Sequence, residues 1–67
     1  MVNMALLEEM IKNNRLTDRD IAKALNIDLS TWYRRKLAPN KINIGEIEVL
    51  KKILNISNEQ AQVIFLS

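Results

Sequence analysis

Basic side chains form one short cluster in the middle of the sequence, and anion binding is the chemistry that suits them best. Arg34, Arg35, Lys36 and Lys41 lie within eight positions that contain no acidic residue. Guanidinium and ammonium groups at this density can neutralise the phosphates of a nucleic acid. The same pattern is also typical of a solvated helix face, and the net charge of +2 is too small to distinguish the two. The element that carries the cluster must therefore decide its role.

Catalytic and metal-binding chemistry has little support in this composition. The 67 residues include no cysteine and no histidine. Disulfides, thiolate ligands, the usual zinc sites and the usual nucleophilic dyads are therefore excluded, and the lack of cysteine fits a reducing compartment. An enzyme would have to use Asp, Glu, Lys, Tyr or Ser alone, in a domain too small to enclose a deep cleft. We expect a protein that is not an enzyme and has no metal and no cofactor.

Residues 17–26 are predicted to form the first of two short helices that position the cluster. Ile21 and Leu25 are four residues apart and so share one helix face, and the small Ala22 beside them allows close approach of another helix. Thr17 can cap the start of this helix by accepting a hydrogen bond from a backbone amide. Asn26 tolerates the left-handed backbone that often ends a helix. The helix should therefore begin at about Thr17 and end at Asn26.

Trp32 sets the orientation of the second helix, which we expect to start after the cap residue Asp28 and to run to about residue 36. Trp32 is the one large apolar residue in the middle of this segment, so it should face inward against the first helix. A helix turns about 100° per residue, so four other side chains should face outward to solvent or to a ligand. These are Leu29, Ser30, Tyr33 and Arg34.

This order of residues resembles the helix-turn-helix of the Cro and repressor type of phage and bacterial regulators, the XRE-like family. The matching positions are Ile21, Ala22, Leu25, Ile27 and Trp32. Residues 42–47 and 54–56 also resemble the fourth and fifth helices of small phage regulators in this group, so the resemblance covers nearly the whole chain. It implies an all-α fold, a compact five-helix lambda-repressor-like DNA-binding domain with the helix-turn-helix at about residues 17–36.

The sequence departs from the family pattern at several positions. Asn26 replaces the usual glycine of the turn, Asp18 stands where many members have a glutamine that contacts phosphate, and Arg35 occupies a position that is more often apolar. A packed stem with the guanidinium in water would suit Arg35. The arginine and glutamate pair that often joins the first and third helices of the family is missing, because Ile11 and Lys36 occupy its places.

The resemblance implies that the second helix of the pair enters the major groove of DNA end first. The residues implied to contact bases are Leu29, Ser30, Tyr33 and Arg34. The residues implied to contact phosphates, some of which are also expected helix caps, are Thr17, Thr31, Lys36, Lys41 and Asn43.

Arg15 and Arg19 lie close to the start of the first helix of the pair, where positive charge opposes the helix dipole. A nearby anion would remove this cost. Either a DNA phosphate or the carboxylates of Asp18 and Asp20 would serve, so both interpretations stay open.

The resemblance implies a sequence-specific double-stranded DNA-binding transcriptional regulator of the phage repressor or Cro kind, which occupies an operator and blocks or recruits polymerase. A single copy of so small a motif covers only one half-site, so we expect a dimer on a palindrome or help from another protein. A second hypothesis is a protein-binding module of the same fold that acts on another regulator, as an antirepressor or antitoxin would. The basic outward face favours the first hypothesis, and the apolar run near the C-terminus could serve the second.

The rest of the chain is predicted to form three further helices, so that residues 1–67 make one all-α domain. The first should start at the cap residue Asn3 and end near residue 14. Pro39 cannot continue a helix and makes residues 37–41 a loop. Asn43 and Glu46 have the spacing of a capping box for the fourth helix.

The fourth and fifth helices each have a predicted inner face. That of the fourth helix is Ile47, Leu50 and Leu54, with Ile44 and Ile53 adjoining. On its outer face, Glu48 and Lys52 have the spacing of a helical ion pair. Ser57 and Gln60 repeat the capping box for the last helix, whose inner residues are Ala61, Ile64 and Phe65.

Val63, Ile64, Phe65 and Leu66 are apolar all round the last helix and cannot all face the core of one small domain. Two interpretations are equally open. Either the four residues contact a second copy in a homodimer, or they are buried between neighbouring helices or partly exposed at the chain end. This run is far too short to span a bilayer, and no secretion signal is visible at the N-terminus, so a cytoplasmic protein is expected.

Overall fold

Helices make up nearly all of the regular structure in the computed structural model of the chain, which describes residues 2–66. Over that range there are five α-helices, one 3-10 helix and no strand. They are α1 (Met4–Asn13), α2 (Asp18–Leu25), α3 (Leu29–Leu37), the 3-10 helix (Pro39–Lys41), α4 (Ile44–Leu54) and α5 (Asn58–Phe65). The radius of gyration, 10.6 Å, is close to the roughly 11 Å expected for a compact domain of this length. The expected all-α fold class is confirmed.

Side-chain caps determine where the helices start. At α2, α4 and α5 the cap side chain accepts a hydrogen bond from the backbone amide three residues on, and the side chain at that third residue accepts one in return. The pairs are Thr17 with Asp20, Asn43 with Glu46 and Ser57 with Gln60. Each pair satisfies two amides that a helix start leaves without partners, which is worth about 1 kcal/mol. Asn3 caps α1 as expected, whereas Asp28 stands at the cap position of α3 but makes no side-chain bond to an amide.

Three helices end in the same way, with a residue of left-handed backbone followed by a partly buried apolar residue. The pairs are Arg15 (φ 58°) with Leu16, Asn26 (φ 58°) with Ile27, and Asn55 (φ 52°) with Ile56. In each pair the amide of the apolar residue donates to the carbonyl five positions earlier, which turns its side chain back toward the core. Asparagine tolerates this backbone better than most residues. The expected helix end at Asn26 is confirmed.

Each of the five α-helices contributes one fully buried side chain to the centre of the core. They are Leu7, Ile21, Trp32, Leu50 and Ile64. Trp32 is the largest of them, and its complete burial confirms the expected inward orientation of the indole. Because apolar burial is the main stabilising term in so small a domain, this one side chain fixes how α3 sits on the other helices.

The buried face of α4 differs in part from the expected one. Leu50 and Leu54 are buried as predicted, but Ile44 is 78% exposed and Glu46 is buried. Glu46, Leu50 and Leu54 are spaced by four residues and therefore share one side of the helix, whereas Ile44 at the first helical position lies on another side. The sequence pattern failed here because a carboxylate with internal partners, described below, occupies an inward position.

Two local expectations outside the core also need correction. Glu48 pairs with Lys51 at 3.6 Å, three residues on, rather than with Lys52. Residues 37–41 are not an open loop, because α3 continues through Leu37 and Pro39–Lys41 form one turn of 3-10 helix. The buried Ile42 follows this turn and anchors it to the core.

The apolar run near the end of the chain is divided between core and surface. Ile64 and Phe65 are buried together with Ala61, as predicted for the inner face of α5, whereas Val63 and Leu66 are 53% and 72% exposed. Ile64 and Phe65 are therefore removed from the expected homodimer surface, because their side chains already pack within one copy. Over residues 2–66, no helix is both long enough and apolar enough to cross a membrane.

Candidate nucleic-acid interface

The outward face of α3 consists of Ser30, Tyr33, Arg34 and Leu37, and all four side chains are exposed. At 100° per residue, Ser30, Arg34 and Leu37 lie nearly opposite the buried Trp32, and Tyr33 lies beside them. Tyr33 is 47% exposed and Leu37 is 88% exposed. Three residues expected to contact bases, namely Ser30, Tyr33 and Arg34, are therefore brought together on one exposed helix face.

The two leucines at the ends of α3 are placed differently from expectation. Leu29 was expected to face outward, but it is half-buried and packs against the core. It precedes Trp32 by three residues, a spacing that puts both on the same side of a helix. Leu37, which the sequence assigned to a loop, is the last residue of α3 and lies seven positions, or about two turns, after Ser30. The seven-residue spacing from Ser30 is the sequence feature that could have placed Leu37 on the outward face of α3.

Arg34 and Lys41 are the members of the basic cluster whose charge is free for a ligand. Both are exposed, and within residues 2–66 neither has a carboxylate oxygen within 4.0 Å. Nη2 of Arg34 donates to Oγ1 of Thr31 at 3.1 Å, which orients the guanidinium but uses only part of its donor capacity. Thr31, Arg34 and Lys41 border an open depression of about 350 Å³. Its rim can receive an anionic group.

Thr17 and Asn43, which were expected to contact phosphates, are both helix caps with exposed side chains. Oγ1 of Thr17 accepts from the amide of Asp20 at 3.1 Å, and Oδ1 of Asn43 accepts from the amide of Glu46 at 2.8 Å. Hydrogen bonding by Thr17, chiefly through its backbone amide, holds the pKa of the Asp20 carboxyl below its usual value. Asn43 still has its side-chain NH2 group as a donor for an anion.

Arg35 has a partner inside the domain rather than in solvent. Its Nη1 donates to Oε1 of Glu46, and the same oxygen accepts a bond from the amide of Asn43 at 3.1 Å. The two side chains are only 23% and 11% exposed. The expectation of a guanidinium in water is therefore wrong, because the buried Glu46 carboxylate requires a positive partner. The pair fastens the end of α3 to the start of α4.

Lys36 also has partners inside the domain, which makes it a poor phosphate contact. Its Nζ lies 2.6 Å from Oε1 of Glu8 and 3.1 Å from Oδ1 of Asp18. Burial by itself would lower the pKa of Lys36, but the hydrogen bonds to Glu8 and Asp18 outweigh it and raise the pKa above the ordinary value. To reach a phosphate, the ammonium would have to leave two carboxylates. We therefore withdraw Lys36 from the expected phosphate contacts.

The contacts of Lys36 belong to a network that joins three helices. Oδ1 of Asp18 on α2 also accepts a hydrogen bond from Nε1 of Trp32 on α3, at 2.9 Å. Asp18, where the resemblance would place a glutamine, here accepts the hydrogen bond of the buried indole. Glu8 extends the network to α1, so an ion pair does join the first and third helices, with Lys36 at one of the two expected positions but paired with Glu8 rather than with residue 11.

Two exposed cations on α2 lie next to the start of α3. Arg19 and Lys23 are four residues apart and border an open depression of about 420 Å³ beside the turn between the helices. The expected alternative in which Arg15 or Arg19 pairs with a neighbouring aspartate is not found within residues 2–66. Lys23 was missed in the sequence, although its spacing from Arg19 places both on one side of α2.

Near the helix pair, the exposed cations without an ion pair in residues 2–66 are Arg15, Arg19, Lys23, Arg34 and Lys41. Arg19, Lys23 and Lys41 flank the outward face of α3, which carries a hydroxyl, a phenol, the guanidinium of Arg34 and one apolar side chain. A helix face that offers hydrogen-bond donors and acceptors and is flanked by cations suits a polyanion whose own groups also form hydrogen bonds, such as a nucleic acid. No family model, no curated protein and no solved structure matches the chain.

Proposed function

We propose that the chain binds double-stranded DNA at specific sequences and acts as a transcriptional regulator of the phage repressor or Cro kind. The observation that carries the proposal is the outward face of α3, where Ser30, Tyr33 and Arg34 are exposed while Trp32 anchors the helix from behind. A single α-helix fits the width of the major groove. α2, joined to α3 by a short turn, holds this helix at the protein surface, as in other helix-turn-helix proteins.

Base contacts in this proposal come from three residues of the outward face. Arg34 donates two parallel N–H bonds to O6 and N7 of a guanine, the geometry that a guanidinium fork favours. Ser30 bonds to a base edge or a phosphate, and Tyr33 offers both its ring and its hydroxyl. The ammonium of Lys36 lies 5.4 Å from the centroid of the Tyr33 ring, which helps to orient that ring. Leu29, being half-buried, is not retained as a base contact.

Phosphate contacts in this proposal come from the elements on either side of α3. Lys41 follows α3 on the 3-10 turn, and Arg19 and Lys23 precede it on α2. Thr17, Thr31 and Asn43 add neutral donors at or near helix ends. Such contacts set the register of α3 on the duplex without selecting a sequence.

Specificity for an operator requires more than one copy of the helix pair, because each covers one half-site. Val63 and Leu66 are the exposed remainder of the apolar run on α5 and are the residues that a second copy would cover. A symmetric dimer would then match a palindromic operator. Bound there, the protein would block or recruit polymerase.

A salt titration tests the proposal. Binding to a random duplex is measured by fluorescence anisotropy at low and at higher salt. We expect affinity to fall steeply with salt, because phosphate contacts release counterions. Selection of bound duplexes from a random pool should then yield a common sequence. The absence of binding at both salt concentrations would reject the proposal.

The second candidate function is a protein-binding module that acts on another regulator as an antirepressor or antitoxin. Ile44 and Leu66, with exposures of 78% and 72%, favour it, because they border an open and mostly apolar depression of about 310 Å³ between α4 and α5. That surface would suit the apolar face of a partner helix. A failed DNA titration together with tight association to a neighbouring regulator would support this candidate.

A further inference from the structure

Leu37 is the most exposed of the large apolar side chains that the structure describes, at 88%. It lies on the outward face of α3, four residues after Tyr33 and three after Arg34. An apolar side chain is usually found at such exposure either by chance or because a partner covers it. Because Leu37 lies within the proposed DNA-binding surface, coverage by a partner is the explanation that fits its position.

The surroundings of Leu37 favour a polyanionic partner. Arg34 precedes it and Lys41 follows it, both exposed and without a carboxylate partner in the described part of the chain. The sequence has no acidic residue between Asp28 and Glu46, and Glu46 is buried against Arg35. An apolar protein surface alone would leave these two cations without counterions. Double-stranded DNA supplies the negative charge and also has an apolar group in its major groove, the 5-methyl group of thymine.

We propose that Leu37 is a specificity-determining residue that packs on the methyl group of a thymine in the bound duplex. This inference rests on the proposed DNA-binding function and adds a base preference to it. Contact by both Arg34 and Leu37 requires α3 to lie along the groove rather than to enter it end first, because Leu37 is about 10 Å beyond Ser30 along the helix axis. In that orientation, the separation of about 4.5 Å between Arg34 and Leu37 along the axis is close to one base-pair step of roughly 3.4 Å. The thymine therefore lies next to the base pair that Arg34 contacts. The contact buries one methyl group of the base against the side chain.

Uracil substitution tests the inference, because uracil lacks only the methyl group of thymine. In a duplex obtained by selection, each thymine is replaced in turn by uracil and the Kd is measured by anisotropy. At one position the wild-type protein should bind about fourfold more weakly, the effect expected for one buried methyl group. Leu37→Ala should bind the thymine and uracil duplexes equally well. Because Leu37 is exposed, this variant is expected to keep the fold, which circular dichroism verifies.

Ile44→Ala is the matched control, since it removes an exposed apolar side chain outside the outward face of α3. It should retain the full effect of uracil. If Leu37→Ala retains the same uracil effect as the wild type, or if the wild type shows none at any position, the role of Leu37 is refuted while DNA binding stands. If no duplex is selected and no salt-dependent binding occurs, the proposed function is refuted and the role of Leu37 with it.

Discussion

Arg34 and Arg35 are neighbours in the sequence but have opposite surroundings. Within residues 2–66, Arg34 is exposed and its guanidinium bonds only to a hydroxyl, whereas Arg35 is held by a buried carboxylate. The same contrast separates Lys41, which is exposed, from Lys36, which has two carboxylates within 4.0 Å. At the scale of single residues, the usable charge of the basic cluster is therefore about half of what the sequence suggests.

Arg34→Ala should relax base preference at one position of the operator. The loss of a bidentate contact is expected to cost about 1 to 3 kcal/mol of binding free energy there and much less on other sequences. Competition between duplexes that differ at single positions measures it. Arg34→Lys keeps the charge but not the fork, so it should lose the preference while retaining most of the non-specific affinity. Unchanged preference in Arg34→Ala would show that the helix phase assigned to α3 is wrong.

Lys41→Ala should weaken binding to all sequences alike, because a phosphate contact carries no sequence information. The slope of log Kobs against log salt should become shallower by about 1. Lys52→Ala is a suitable control, since Lys52 is an exposed lysine without an ion pair in residues 2–66 and lies on α4 away from the basic cluster. Equal effects of the two substitutions would argue against a specific role for Lys41.

At the scale of elements, α3 is fastened to its neighbours by charge as well as by apolar contacts. Lys36 pairs with Asp18 on α2 and with Glu8 on α1. Arg35 pairs with Glu46 on α4. A helix that must keep its orientation in a groove benefits from such fixed partners, because less flexibility remains to be lost on binding. The indole N–H of Trp32 belongs to the same set of contacts, because it donates a hydrogen bond to Asp18.

Lys36→Met should lower the free energy of unfolding by roughly 1 to 2 kcal/mol near neutral pH, between the values typical of surface and buried ion pairs. The pKa of Lys36 is raised in the folded protein above the ordinary value of 10.5. Its ionic contribution is therefore fully present below pH 10.5 and is lost as the pH rises through the folded pKa. Urea denaturation of both proteins over a pH series measures the difference, which should shrink only above that pH. A difference that stays constant into strong alkali would contradict the ion-pair explanation.

At the scale of the whole molecule, stability depends on a core whose largest side chain is that of Trp32. Trp32 is completely buried in the centre of the helices that surround it. A chain of 67 residues buries a smaller share of its surface than a larger domain and has little stability in reserve. Trp32 and the outward face of α3 are on opposite sides of the same helix, so stability and the proposed function are coupled through α3.

Trp32→Ala should unfold the domain at ordinary temperature. Loss of a buried aromatic side chain costs about 3 to 5 kcal/mol, which is comparable with the total stability of a domain of this size. Far-ultraviolet circular dichroism should show loss of helix. Tyr33→Ala, the adjacent but exposed aromatic position, should retain the helical signal. A folded Trp32→Ala variant would mean that the core does not depend on the indole.

Leu66→Glu should prevent association of two copies without unfolding either, because the side chain is 72% exposed. A charge placed in an apolar contact is strongly unfavourable. Sedimentation of the wild type should show a dimer that dissociates in the variant, and preference for palindromic duplexes should be lost with it. Glu59→Gln, an exposed position on the same helix, should leave association unchanged. A wild type that sediments as a monomer both alone and on DNA would rule out this surface.

Most helix starts, the end of α2 at Asn26 and the inward orientation of Trp32 could be derived from the sequence alone, whereas Leu29 was assigned to the wrong side of α3. Caps at Thr17, Asn43 and Ser57, the left-handed Asn26 and the buried Trp32 depend on residues within a few positions of one another, and helical periodicity relates them. The exposure of Ser30, Tyr33 and Arg34 followed from the same geometry. For residues 63–66 the pattern allowed both core and surface positions, and Leu37 was assigned to a loop because Pro39 follows it.

Only the tertiary structure decided which charges are free and which are engaged. The carboxylate partners of Lys36 and Arg35 are Glu8, Asp18 and Glu46, and they lie on three other helices. No local period connects residues that are 11, 18 or 28 positions apart, so their pairing depends on how the helices pack. That packing withdraws two cations from the basic cluster and leaves Arg34 and Lys41 to meet a partner.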